Sequence, residues 1–107
     1  MVENKPLVSI ITPTRQRHRL LKMQHANVMR QTHQNFEWLI LDDSPTQAAF
    51  FTGLADQRIR YFHQSEPRLT VGEKRNWLVS KAHGEFIFHF DDDDFYAADY
   101  LEKFTAR

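Results

Sequence analysis

Four consecutive aspartates, Asp91, Asp92, Asp93 and Asp94, are the residues of this sequence whose type and spacing point most directly to chemistry. Crowded carboxylates repel one another, so their ionised forms are costly unless a cation lies among them. Mg²⁺ and Mn²⁺ bind oxygen ligands, commonly one or two carboxylates together with substrate phosphates and waters. Asp91 and Asp93 are therefore candidate ligands for a metal ion that bridges a diphosphate. The alternative is a solvated acidic turn that caps the following helix.

Two other pairs of charged residues could take part in such a site. Asp42 and Asp43 precede a Ser-Pro sequence, where one carboxylate could bind a base or ribose hydroxyl, although an Asx turn or a helix cap is common there. Lys74 and Arg75 could offset the charge of a diphosphate. An ion pair with one of the aspartates is the alternative for these basic residues.

The segment that follows the first apolar run is basic and contains Arg15, Arg17, His18 and Arg19. Such a loop could contact phosphate or ribose. A solvated start of a helix explains the same residues equally well.

Short runs rich in β-branched and aromatic residues alternate with segments of helical periodicity, which predicts βαβ units. The predicted strands cover residues 7–12, 36–41, 59–62 and 85–90. The predicted helices cover residues 19–32, a short segment ending near 55, a segment from 71 to a C-cap glycine at Gly84, and the opening of a helix at 97–107. The fold class is therefore α/β, with a mostly parallel sheet and flanking helices.

Residues at helical spacing predict the inward faces of two helices. The first face consists of Leu21, His25, Val28 and Thr32. The second consists of Val71, Arg75, Leu78 and Ala82. We expect His25 to be packed in the core rather than to bind a ligand, and Arg75 to point inward near the start of its helix.

In open parallel sheets, ligands bind beyond the carboxyl ends of the strands. Residues 12–17, 42–43 and 91–94 each follow a predicted strand, so we expect them to converge at one edge of the sheet. The strand before the aspartates is expected to be buried, because it reads FIFHF. Delivery by a buried strand favours the metal site over the solvated turn.

Composition limits the class of protein. The 107 residues fit one domain, and 14 basic residues balance 14 acidic ones, so no overall positive field favours nucleic acid. Cysteine is absent, and no apolar run approaches the length of a membrane span. We expect a cytoplasmic protein, or one that is peripheral at the inner membrane face in its full-length form. We also expect a fragment of a longer chain, whose exposed apolar surface allows self-association.

Four segments, taken in order, resemble a known family. They are VSIITPTRQR, QTHQNFEWLILDDS, GEKRN with AHGEFIF, and HFDDDDFYAADYL. Together they resemble the amino-terminal portion of a family 2 glycosyltransferase with the GT-A fold, whose nucleotide-binding half is Rossmann-like. The resemblance implies a hexosyltransferase-like enzyme that takes a nucleotide-diphosphate sugar, usually a uridine diphosphate sugar, and uses Mn²⁺ or Mg²⁺. The acceptor is not implied.

The resemblance also implies roles for residues around the nucleotide. The turn that would line the nucleotide pocket consists of Thr12, Pro13, Thr14 and Arg15. Asp43, the second member of its pair, would contact the base. Arg75 would lie near the diphosphate, with Lys74 beside it.

The family's aspartate-any-aspartate motif falls on Asp91, Asp92 and Asp93. Asp93 is the expected direct metal ligand. Asp91 is the expected contact to ribose or sugar and the second candidate metal ligand. Asp92 would take part in binding the nucleotide sugar, and Asp94 would support its neighbours.

Two departures from the family pattern bear on function. Gln16 replaces the usual Asn, and Ser44 with Pro45 replaces the usual Gly-Ser, so we expect the edge of the base pocket to differ. The family's general base and acceptor-binding region lie beyond residue 107. We therefore expect this fragment to hold a donor without transferring its sugar.

Two other classes of protein compete with this interpretation. A non-catalytic nucleotide- or metal-binding module of the same fold would need no base beyond residue 107. A phospho-acceptor signalling domain would need an acidic pair after the first strand, where the sequence has Pro13, Thr14 and Arg15.

Overall fold

The computed structural model describes residues 5–105. Within these residues, four strands alternate with four helices. The strands are β1 (Val8–Thr14), β2 (Phe36–Asp42), β3 (Ile59–His63) and β4 (Phe86–His89). The helices are α1 (His18–Met29), α2 (Ala49–Thr52), α3 (Val71–Lys81) and α4 (Tyr100–Thr105).

The strands form one sheet in the order β3-β2-β1-β4, and every strand pair in it is parallel. The register places Thr14 beside Asp42 and Asp42 beside His63, so β1, β2 and β3 end at the same edge. The predicted α/β class and parallel sheet are confirmed. The central strands β1 and β2 are buried along almost their whole length, as near-continuous apolar runs predict.

Helices cover both faces of the sheet. On one face, the core combines side chains of β1 and β2 with residues of α1, α2 and α4, including Leu21, Phe51 and Leu101. On the other face, Leu78 of α3 packs against Ile11 and Leu39. This two-sided cover explains why β1 and β2 lack the polar alternation of a half-exposed strand.

The expectation that the strand before the aspartates is buried was wrong. Side chains of β4 alternate between half-buried and exposed, with Ile87 36% exposed. The physical reason is its position, because β4 lies at the edge of the sheet and pairs only with β1 among residues 5–105. Phe90, directly after β4, is nevertheless completely buried and anchors the chain before the aspartates.

The predicted inward face of the first helix was wrong at one end. α1 ends at Met29, so Thr32 lies outside it and is exposed. The buried residues of α1 are Leu21, Gln24 and Val28. Gln24 enters this face because its amide has backbone partners, described below.

The predicted face of the later helix was also shifted. In α3, Lys74 and Leu78 are the buried residues, whereas Val71 is 52% exposed and Arg75 is half-buried. The helix starts with a capping box, in which Thr70 Oγ1 accepts from the Glu73 amide at 3.1 Å and Glu73 accepts from the Thr70 amide at 2.8 Å.

The predicted C-cap glycine was wrong. α3 ends at Lys81 with Ala82 as its cap, and Gly84 does not adopt the left-handed conformation. Gly84 is instead pressed against β1, where its amide donates to Ser9 Oγ at 2.8 Å. No helix among residues 5–105 combines the length and apolar character that a membrane crossing requires.

Candidate functional site

The carboxyl ends of β1 and β4 meet the first turn of α3 around an open cavity of about 480 Å³. Most of its lining is polar or charged, as a site for an ionic ligand requires. The lining residues are Pro13, Thr14, Arg15, Gln16, Arg17, Arg68, Val71, Lys74, Arg75, Asp91, Asp92 and Asp93.

Three of the four aspartates line this cavity in two different ways. Asp92 is buried, and its Oδ2 accepts a hydrogen bond from Thr14 Oγ1 at 2.7 Å, which ties the acidic turn to β1. Asp91 and Asp93 remain accessible, with side chains 40% and 54% exposed. The accessible carboxylates are thus those available to an incoming ligand.

Each of these carboxylates faces an arginine. Arg75 Nη2 lies 3.0 Å from Asp91 Oδ1, while Arg17 Nη1 lies 3.3 Å from both Asp92 Oδ1 and Asp93 Oδ2. The ion pair foreseen as an alternative role for Arg75 is therefore present. Arg75 Nε is buried and has no hydrogen-bond partner among residues 5–105, so this nitrogen is a donor that those residues leave unused.

Lys74 and Asp43 form a buried ion pair behind the cavity wall. Lys74 Nζ donates to Asp43 Oδ1 at 2.8 Å and to the Thr14 carbonyl at 3.1 Å. The Leu69 amide donates to Asp43 Oδ2 at 3.3 Å, and Arg15 donates to the Asp43 carbonyl at 2.6 Å. Burial alone would raise the pKa of Asp43, but the Lys74 hydrogen bond and charge, with Leu69 and Arg15, outweigh it and lower that pKa.

Asp42 points to the opposite face of the sheet and is completely buried. It accepts from Tyr61 Oη at 2.6 Å and from the Ser44 amide at 2.9 Å, and His18 Nε2 lies 3.0 Å away. The contact with Ser44 is the Asx turn foreseen for this pair. Burial is the main cause that raises the pKa of Tyr61, and the neighbouring Asp42 carboxylate raises it further.

Gln24 of α1 holds the backbone of the acidic turn. Its amide group donates to the carbonyls of Asp91 at 2.5 Å and Asp94 at 2.9 Å. Tyr96 stacks on Phe90 with ring centroids 3.9 Å apart, and its hydroxyl accepts from the Asp91 amide at 3.1 Å. Burial is the main cause that raises the pKa of Tyr96 to about 12.

The structure places most of the predicted nucleotide-sugar and metal residues at this cavity, but not two of them. Thr12 is buried in the sheet, where its hydroxyl donates to the Phe90 carbonyl at 2.6 Å and accepts from Trp38 Nε1 at 2.9 Å. Asp43 lies behind Lys74, which is 4% exposed.

Sequence reasoning missed some lining residues and supports. Arg68 and Val71 line the cavity, yet Arg68 comes from a polar loop without periodicity and Val71 was assigned to the inward face. Gln24 was missed because a glutamine on an apolar stripe gives no signal of its backbone partners. The one hint in the sequence was a polar residue at helical spacing from core positions, because a polar group that is buried needs a hydrogen-bond partner.

The cavity residues suit a divalent cation only together with a bound ligand. Among residues 5–105, no three His, Asp or Glu side chains converge as a ready-made metal site. Asp91 and Asp93 do line one cavity with accessible oxygens. Two carboxylates suit Mg²⁺ or Mn²⁺ when a bound diphosphate and waters complete the coordination, so this donor set fits an ion that arrives with its ligand.

A model of the family described as glycosyl transferase family 2 matches residues 9–107. WcaA of Escherichia coli K12, named for a glycosyl transferase role in colanic acid biosynthesis, is 35% identical over 110 residues. The alignment covers 99% of this chain and 39% of WcaA. WfgD of Escherichia coli, a UDP-Glc:alpha-D-GlcNAc-diphosphoundecaprenol beta-1,3-glucosyltransferase, is 33% identical, covering 90% of this chain and 38% of WfgD.

Solved structures share the fold at lower identity. TarS 1-349 of S. aureus superposes with a TM-score of 0.81 and 22% identity, covering 92% of this chain and 31% of that one. The mannosyltransferase PcManGT of Pyrobaculum calidifontis, solved with GDP-Man and Mn²⁺, gives a TM-score of 0.77 and 21% identity. That match covers 97% of this chain and 33% of PcManGT. The GT-A fold predicted from the sequence is thereby confirmed.

Proposed function

This chain belongs to glycosyl transferase family 2, and we propose that its cavity binds the nucleotide diphosphate of a sugar donor together with Mn²⁺ or Mg²⁺. The observation that carries the proposal is the meeting of accessible carboxylates and arginines in one cavity at the carboxyl end of the sheet. Carboxylates suit the metal ion, and guanidinium groups suit the phosphate oxygens. A diphosphate bound together with a cation would complement both the carboxylates and the arginines of the cavity.

We propose the following roles for the lining residues. Asp93 and Asp91 would hold the ion, and Asp91 could also reach the ribose or sugar. Arg75, whose Nε is buried without a partner, would donate to the diphosphate. Asp92 would position the acidic turn through Thr14. When bound, the ion would stabilise negative charge on the departing diphosphate.

Lys74 and Asp43 fit this scheme mainly as supports. Asp43 already has Lys74, Arg15 and the Leu69 amide as partners, so a contact with the base would add to or replace one of these. Lys74 lines the cavity, but its ammonium group already donates to Asp43 Oδ1 and to the Thr14 carbonyl. We therefore propose that both residues shape the base side of the pocket.

A uridine diphosphate sugar is the proposed donor. WfgD is named for UDP-Glc, and TarS 1-349 was solved with UDP-GlcNAc, while PcManGT was solved with GDP-Man. The chain spans about 39% of WcaA's length, so sugar transfer by the whole protein is part of the proposal. In the transfer step, the oxygen of an acceptor hydroxyl would attack the anomeric carbon of the sugar, and the nucleotide diphosphate would leave.

Calorimetric titration with UDP, with and without Mn²⁺, tests the proposal. We expect UDP to bind more tightly with Mn²⁺, and Asp93→Asn to remove most of that gain because it removes a ligand charge. Asp99→Asn is the matched control, since it removes the same charge from an exposed position outside the cavity lining. Binding that ignores Mn²⁺, or an Asp93→Asn variant that binds as the control does, would refute the metal site.

A further inference from the structure

The backbone before Arg17 is anchored, whereas the Arg17 side chain is half exposed. Gln16, directly before it, has a φ of 52°, and the Gln16 amide donates to Ser44 Oγ at 2.6 Å. This anchor fixes where Arg17 leaves the loop before α1. Its side chain is 50% exposed and reaches across the cavity mouth to the acidic turn.

The guanidinium of Arg17 contacts two aspartates through one nitrogen. Nη1 lies 3.3 Å from Asp92 Oδ1 and 3.3 Å from Asp93 Oδ2. A single positive charge thus offsets part of the negative charge of Asp92 and of Asp93, the proposed metal ligand. Both 3.3 Å contacts are longer than the usual charge-assisted hydrogen bond, and the pair with Asp93, in which both side chains are exposed, is of a kind that breaks readily.

We propose that Arg17 is an exchangeable counter-ion, which pairs with Asp92 and Asp93 when no donor is bound and turns to the diphosphate when a divalent cation takes Asp93. This inference rests on the proposed function of the cavity. Arg17 and the metal ion compete for Asp93, whereas the diphosphate competes with Asp93 for Arg17. The ion and the diphosphate therefore favour each other's binding, because the Arg17 ion pairs are broken only once when both bind.

A fixed structural ion pair is the opposing interpretation. In that case Arg17 stays on the aspartates in every state, and its removal loosens the acidic turn. Metal affinity would then fall without Arg17, whereas an exchangeable counter-ion predicts that it rises. The direction of the change in metal affinity therefore distinguishes the exchangeable counter-ion from the fixed ion pair.

Calorimetry with Mn²⁺ alone, UDP alone, and UDP at saturating Mn²⁺ tests the proposal on wild type and Arg17→Gln. For Arg17→Gln we expect Mn²⁺ alone to bind about three- to tenfold more tightly, as the loss of competing exposed ion pairs implies. UDP at saturating Mn²⁺ should bind about tenfold more weakly, because a charge-assisted contact is lost. UDP alone should change least, so the gain in UDP affinity produced by Mn²⁺ should shrink by about the same tenfold factor as UDP binding at saturating Mn²⁺.

Two further variants complete the experiment. Arg19→Gln removes the same charge from an exposed residue of α1 outside the cavity lining, and it should leave all three affinities near wild type. Arg17→Lys keeps the positive charge but lacks the planar, bidentate guanidinium group, so its affinities should fall between those of wild type and Arg17→Gln. Thermal melting checks that each variant is folded. If Arg17→Gln does not fold, the Mn²⁺ affinity of Arg17→Lys is compared with wild type instead.

The outcomes are distinct. If wild type does not bind UDP with Mn²⁺, the proposed function fails and this inference fails with it. If wild type binds UDP with Mn²⁺ but removal of Arg17 leaves Mn²⁺ affinity equal to or below that of the Arg19→Gln control, only the role of Arg17 is refuted. Tighter Mn²⁺ binding with weaker Mn²⁺-dependent UDP binding supports it.

Discussion

Two neighbouring aspartates show how the side of the sheet decides the role of a residue. Asp42, the last residue of β2, contacts Tyr61 and lies beside His18, whereas Asp43 contacts Lys74 of α3. Successive side chains of a strand point to opposite faces, so the two carboxylates meet different helices. One is fixed by hydrogen bonds from Tyr61 and Ser44, and the other forms a buried ion pair beside the cavity.

The left-handed conformation of Gln16 leads to a prediction about stability. Its φ of 52° lies in a region that Asn and Gly adopt more readily than Gln or β-branched residues. We expect Gln16→Asn to raise the free energy of unfolding by about 0.5–1 kcal/mol and Gln16→Val to lower it by about 1–3 kcal/mol. Urea denaturation of the three chains checks this order. Equal stability of the Asn and Val variants would contradict it.

The site residues differed in how far the sequence could identify them. Charge and position after a strand pointed to Asp91 and Asp93, and helical spacing pointed to Arg75, and all three line the cavity. Gln24 and Thr12 were not assigned correctly, since their roles depend on partners far along the chain. Gln24 bonds to the carbonyl of Asp91, and Thr12 bonds to that of Phe90.

At the scale of elements, α1 positions the acidic turn through Gln24, and this contact has a close parallel. Gln31, after the end of α1, is equally buried, donates to the Ala97 carbonyl at 2.8 Å and accepts from the Leu101 amide at 3.1 Å. Both glutamines tie the α1 region to the segment after β4. Only Gln24 contacts the turn that carries the proposed metal ligands.

The two glutamines therefore form a matched pair for mutation. We expect Gln24→Met and Gln31→Met each to lower the free energy of unfolding by about 1–3 kcal/mol, because buried backbone groups lose their partners. Only Gln24→Met should also weaken UDP binding in the presence of Mn²⁺, measured by calorimetry at a temperature where both variants are folded. Equal loss of binding in both would show that the effect is one of general stability.

The close approach of the β4 side of the chain to β1 explains Gly84. A Cβ at this position would lie 2.5 Å from Ser9 Oγ, 2.6 Å from the Ser9 nitrogen and 2.9 Å from the Leu7 carbonyl oxygen. These distances are too short for any side chain. The sequence predicted a special glycine here but gave the wrong reason, since periodicity does not show which strand the next segment will touch.

Gly84→Ala should therefore lower the free energy of unfolding by about 1–3 kcal/mol through overpacking against backbone atoms. Gly72→Ala is the matched control, because an added Cβ there meets only Thr70 Oγ1 at 4.0 Å inside the first turn of α3. That change should instead stabilise the chain by about 0.5–1 kcal/mol. Thermal unfolding of both variants should thus move in opposite directions, and a shared direction would contradict the argument.

At the scale of the whole molecule, the order of elements was predictable and the phase of the helices was not. Alternating strands and helices with short connections leave few topologies, and the parallel sheet brings polar strand ends to one edge. Which residues of α3 face inward depends on the partners that the sheet offers. Lys74 is buried because Asp43 and the Thr14 carbonyl lie opposite, and no spacing rule contains that information.

Carboxylates are also held at the other end of the sheet. Glu37, near the start of β2, accepts from Ser9 Oγ at 2.6 Å, the His83 amide at 2.6 Å and Arg60 Nη1 at 3.1 Å. Burial opposes ionisation of Glu37, but these hydrogen bonds outweigh it and lower its pKa. Asp43 at the opposite end of the sheet has a lowered pKa for the same kind of reason.

These lowered pKa values predict that the whole chain loses stability in acid. A carboxyl group whose pKa is lower in the folded state binds fewer protons there than in the unfolded chain, so its contribution is complete above the unfolded pKa. That contribution begins to fall below about 4.5 for Glu37 and about 3.8 for Asp43, and it disappears as the pH passes through the lower folded values. Urea unfolding at pH 7, 5, 4 and 3 should therefore show similar stability at pH 7 and 5 from these groups and a decline below.

Glu37→Gln should be less stable than wild type at pH 7 yet lose less stability on acidification, whereas Glu102→Gln, at an exposed position, should keep the wild-type dependence of stability on pH. An unchanged slope in Glu37→Gln would show that its network does not contribute to acid sensitivity.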